Sequence, residues 1–110
     1  MIRVCIGERV LLAGGHAGCG EKGQDIVCAA VSALVYTLVG ALEDGGRLES
    51  SVLKVGLAVV RGTGECGREF AMTGQGLRLL ARQYPEYISV KELPSVEDED
   101  GSWPTTGRSF

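Results

Sequence analysis

Two short apolar runs open the chain, IRVCI at residues 2–6 and RVLLA at 9–13. Gly7 and Glu8 between them suit a tight turn, so the pair reads as a β-hairpin. A glycine-rich stretch follows, GGHAGCGEKGQ at 14–24, with five glycines in eleven positions. It has nothing to pack into a core and is expected to be a mobile loop. The next run, IVCAAVSALVYTLVGAL at 26–42, carries no charge. Asp25 precedes it at a natural N-cap position, and Gly45-Gly46 end it, predicting a helix over about 26–44.

Residues 51–60, SVLKVGLAVV, read as one long strand. A glycine-rich turn at 61–67 leads to an amphipathic pattern over 69–83, with Leu77, Leu80 and Ala81 on one face and Arg78 and Arg82 on another. Gly74 and Gly76 weaken that helix in its middle, and Pro85 closes it. YISVKEL at 87–93 alternates cleanly, with Ile88, Val90 and Glu92 on one face of a last strand. The order ββ-α-β-α-β predicts a small single α+β domain over 1–93, its mainly antiparallel sheet packed by two helices. Residues 94–110 contain an acidic run at 97–100 and no periodicity, the pattern of a solvated, disordered tail.

Composition agrees with one globular domain: 110 residues, 45% hydrophobic and 23% charged. The net charge of −3 argues against a nucleic-acid-binding face. The N-terminus, MIRVCIGERV, lacks the pattern of a signal peptide, which points to the cytoplasm and to reduced thiols. The 26–42 run stands at the lower limit of about 20 apolar residues for a membrane span. Ser32, Tyr36 and Thr37 interrupt it and carboxylates flank it, which fits the central helix of a domain or of a dimer better than a span.

The chain has four cysteines, Cys5, Cys19, Cys28 and Cys66, and one histidine, His16. His16, Asp25 and Cys28 fall within thirteen residues. A thiol in the first turn of the predicted helix feels the positive end of its dipole, which favours the thiolate. His16 is the one imidazole that can take the proton, and Asp25 can orient it. Each residue also has a plain reading: Asp25 as a cap, Cys28 as core, His16 as surface. Zinc is a rival use of His16 and the cysteines, but no CxxC or HxxxH pair is present. No cofactor-binding motif is present either, since the glycines match neither a P-loop nor a dinucleotide spacing.

The stretch 14–42 resembles the signature of the bacterial ribosomal-processing cysteine proteases, the Prp family. Gly15, His16, Ala17 and Gly18 match its G-H-A-G element, and residues 25–34, DIVCAAVSAL, match its second element. The resemblance extends over about residues 1–93. It implies Cys28 as nucleophile, His16 as general base and Asp25 in support. It also implies a substrate-covering loop that includes Gly15, Ala17, Gly18, Cys19, Gly20 and Gly23. The implied protein is a small α+β domain that forms homodimers; composition and motifs add the cytoplasm, no metal or cofactor, and no nucleic-acid or membrane partner. The implied substrate is the N-terminal extension of large-subunit ribosomal protein number twenty-seven, cleaved near paired phenylalanines. A non-catalytic ribosome-assembly factor that binds the extension is the alternative. Cys19 departs from the family pattern, standing where an aromatic residue is common.

Overall fold

The computed structural model describes residues 1–15 and 22–94, excluding the side chains of 22–25. Seven elements follow in order: β1 (Ile2–Ile6), β2 (Val10–Gly14), α1 (Lys22–Asp44), β3 (Leu48–Lys54), β4 (Leu57–Gly62), α2 (Gly67–Gln83) and β5 (Ile88–Glu92). The five strands form one sheet in the order β3-β4-β2-β1-β5. Three of the four pairings are antiparallel, and β1 with β5 is parallel. The α+β class and the mainly antiparallel sheet are therefore as the pattern predicts. The expected acidic tail, from residue 95 on, lies outside the described residues.

One element differs. The stretch 51–60 is a hairpin and not a single strand: β3 and β4 pair from Leu48↔Gly62 to Lys54↔Leu57, with Val55 and Gly56 as the turn. Gly56 makes that turn possible with φ +79°, a backbone conformation open to glycine at no steric cost. The sequence hides the reversal, because the turn pair Val55-Gly56 brings no Asn, Asp, Ser or Pro and apolar residues continue on its far side.

Strand alternation sorts the sheet into two faces. Ile2, Val4, Ile6, Leu11, Ala13, Val60 and Ile88 join the main core with both helices. From α1 come Val27, Val31, Val35, Leu38 and Leu42, a stripe at spacings of three and four. That stripe packs α1 into the core of this fold, in a helix that is also long and apolar enough to cross a membrane. From α2 come Phe70 and Leu77, with Leu80 and Ala81 packed beside them. Gly74 and Gly76 prove to be contact points: a Cβ on Gly74 would meet Ile6 at 3.4 Å, and one on Gly76 would meet Leu34 at 3.2 Å. Their missing side chains let α2 settle on the sheet and on α1, which offsets the loss of helix propensity.

The opposite face carries a smaller apolar cluster of Cys5, Val10 and Leu12, with Val59 and Leu93 against it. Burial pushes the Cys5 thiol above its ordinary range, opposed in part by the Lys91 ammonium on the same face. Burial likewise raises Cys66, which sits beneath Gly62 at the β4–α2 junction. Both thiols stay neutral at pH 7 and serve as small core residues.

Candidate active site

The N-terminal part of α1 passes over one end of the sheet and leaves a cleft of about 480 Å³. Cys28, Val31, Ser32, Val35 and Tyr36 form its helical wall. The β3–β4 turn, residues 53–58, forms the facing wall, and Ile2, Ala13, Gly14 and Gly15 lie along it. Cys28 is half-buried there, whereas Cys5 and Cys66 are buried elsewhere. It is therefore the one described thiol that an extended chain in the cleft can meet.

Gly15 fixes the junction between β2 and the glycine-rich loop. Its N–H donates to the Gly56 carbonyl at 3.1 Å, tying the loop's root to the hairpin turn. Its φ is +99°, and any Cβ would collide with the Met1 carbonyl oxygen. Only glycine fits this position. The rim is apolar and exposed: Tyr36 is 61% exposed and Val55 91%, with Leu53 and Leu57 near 40%. Such side chains beside a half-buried thiol offer an apolar surface to a peptide.

The helix start corrects two expectations. α1 begins at Lys22, so Asp25 lies in its first turn and is not the N-cap. Cys28 is correspondingly the seventh helical residue, nearly two turns in, where its own N–H belongs to the helix ladder. The N–H groups without helical acceptors are those of residues 22–25. Gly23 falls within this first turn. His16, Ala17, Gly18, Cys19 and Gly20 lie outside the described residues, as does the Asp25 side chain. Among the described residues, no group of three His, Cys, Asp or Glu side chains could hold a metal ion. The three described cysteines occupy three separate parts of the fold. Tyr36, Leu53, Val55 and Leu57 are cleft residues that sequence reasoning missed. The residue that signals them is Gly56, which marks where the apolar run folds back.

A half-buried cysteine on a helix beside a peptide-sized cleft, on a small α+β domain, is an arrangement suited to thiol-dependent peptide hydrolysis. The profile of the family described as Cysteine protease Prp matches residues 1–89, and the chain belongs to that family. A curated relative, the ribosomal processing cysteine protease Prp of Mycoplasma pneumoniae, is 32% identical over 95 residues, which is 84% of this chain and 95% of the relative. The protein of the same description from Mycoplasma genitalium is also 32% identical, over 96 residues, with 84% and 96% covered. Among solved structures, the S. aureus ribosomal processing protease Prp with a covalently linked product peptide superposes with a TM-score of 0.72 at 24% identity. That match covers 84% of this chain and all of the S. aureus chain. SMU.848 from Streptococcus mutans superposes with a TM-score of 0.71 at 28% identity, covering 86% and 95%.

Proposed function

We propose that this cysteine protease acts in ribosomal protein processing. Its substrate in this reading is the N-terminal extension of large-subunit ribosomal protein number twenty-seven. The observation that carries the reading is Cys28 in a cleft with an apolar rim, in a chain whose curated relatives are ribosomal processing proteases. The paired phenylalanines of that extension match Tyr36, Leu53, Val55 and Leu57 at that rim.

In this proposal His16 takes the Cys28 proton, and the thiolate sulfur attacks the scissile carbonyl carbon. The C–N bond breaks as His16 returns the proton to the leaving amine, leaving a thioester. Water then attacks the thioester, gives its proton to His16 and releases the carboxylate, and the thiol is restored. Asp25 orients the imidazole. The free N–H groups of residues 22–25, and not that of Cys28, are the helix donors available to the oxyanion. The loop residues Ala17, Gly18, Cys19 and Gly20, between Gly15 at the loop's root and Gly23 in α1, cover the substrate. The enzyme works in the cytoplasm, where its thiols stay reduced.

The test is a peptide carrying the extension, incubated with the enzyme and resolved by mass spectrometry. One internal cut at the extension's paired phenylalanines is expected. Tight binding with no cut supports the assembly-factor alternative instead.

We also propose a homodimer. Only 28% of the apolar window of α1 is buried within one chain. Its outer side presents Ala29, Ala33, Thr37, Gly40 and Ala41, small residues that permit close approach of a second helix. Sedimentation at micromolar concentration should give twice the mass of 11.6 kDa, and a single-chain mass contradicts the proposal.

A further inference from the structure

Both helices cover one face of the sheet, and no described element covers the other. That open face has its own apolar centre, Cys5, Val10 and Leu12, flanked by Val59. Cross-strand pairing places Arg3, Arg61 and Lys91 on it: Cys5 pairs with Lys91, Val10 with Arg61, and Arg3 with Ser89. Among the described residues, neither Arg3 nor Lys91 has an ion-pair partner. Glu92, by contrast, points to the helical face and pairs with Arg78 of α2. The β1–β5 side of the face is therefore positively charged in a chain whose net charge is −3.

The chain itself leads onto this face. Leu93 donates its N–H to the Ile6 carbonyl at 2.9 Å and packs into the Cys5 cluster. Pro94 then lines a small cleft with Gly7, Val10, Arg61 and Thr63, where Glu8 and Glu49 balance Arg9 and Arg61, so the backbone has turned from β5 across the β1–β2 turn towards β4. Sixteen residues follow Pro94, from 95 to 110. Four carboxylates come almost at once, Glu97, Asp98, Glu99 and Asp100, and then Trp103. Extended, sixteen residues reach about 50 Å, whereas four strand spacings span about 19 Å.

We propose that residues 95–110 dock back on the open face of their own sheet. The Glu97–Asp100 run lies against Arg3 and Lys91, and Trp103 covers the Leu12–Val59 surface. The charges are complementary, the tether ends on the docking face, and the tail supplies the large apolar side chain that the face lacks. This inference stands apart from the reading of the cleft, because none of its residues lines the cleft.

Trp103 is the only tryptophan, so its fluorescence reports the tail alone. The experiment compares the full chain with a synthetic peptide of residues 94–110. In the full chain at low salt, emission should shift to the blue. Acrylamide quenching should fall about two-fold or more below the peptide's, as a half-docked population already requires. The variant Glu97→Gln/Asp98→Asn/Glu99→Gln/Asp100→Asn, which leaves the folded domain untouched, should weaken docking on the order of tenfold. Arg3→Glu with Lys91→Glu should do the same, as should molar salt. The proposal is overturned if the full chain matches the peptide, or if protection survives both variants. Protection that disappears on dilution also overturns it, since the tail then sits on a second copy.

Discussion

Replacing Cys28 with alanine should lower peptide cleavage by about 10⁴-fold or more while leaving peptide binding nearly unchanged. The size follows from the role: without the sulfur no thioester forms, and nothing else described in the cleft is a comparable nucleophile. Binding should persist because the apolar walls, Val31, Val35, Tyr36, Leu53 and Leu57, are untouched. The substitution also removes only one sulfur from a half-buried site, so folding should be little affected. The measurement is a single-turnover cleavage rate beside a binding titration with the same peptide. Residual cleavage within tenfold of wild type contradicts the assignment, and a parallel loss of binding shifts Cys28 to a packing role.

Gly15→Ala should be the most damaging change outside the catalytic residues. Alanine must adopt φ +99° and place its Cβ against the Met1 carbonyl oxygen. A non-glycine residue in such a conformation costs about 1–3 kcal/mol before any clash. Relief of the clash requires the β2 end to move away from Met1, which weakens the Gly15–Gly56 hydrogen bond that ties loop root to hairpin turn. Thermal unfolding should fall by roughly 10 °C or more on this account. Activity should drop even well below the new midpoint, because that tie holds the β3–β4 wall of the cleft to the root of the loop. An unchanged midpoint with full activity shows that the junction is more pliable than this geometry allows.

Much of the fold is legible in the sequence because its elements obey local rules. The first hairpin is announced by Gly7-Glu8, α2 by its three-and-four spacing and Pro85, and β5 by alternation. The failures have physical causes. Val55-Gly56 turns the chain without a polar residue, so the β3–β4 hairpin reads as a single strand. Lys22 and Gly23 belong to α1 although a glycine-rich stretch surrounds them, so the sequence pattern starts the helix too late and places Cys28 too near its end. Cys28 itself is legible, since it lies inside a motif carried by contiguous residues. The cleft wall is not legible, because Leu53, Val55 and Leu57 meet α1 only through the tertiary fold.

The central claim is that peptide cleavage runs through Cys28. Its most direct test is the intact mass of the wild-type enzyme quenched in acid during turnover, followed by mapping of the modified residue. The account predicts a mass increase equal to the N-terminal product fragment less one water, located on Cys28. Cleavage that proceeds with no adduct, or with the adduct on another residue, would contradict it.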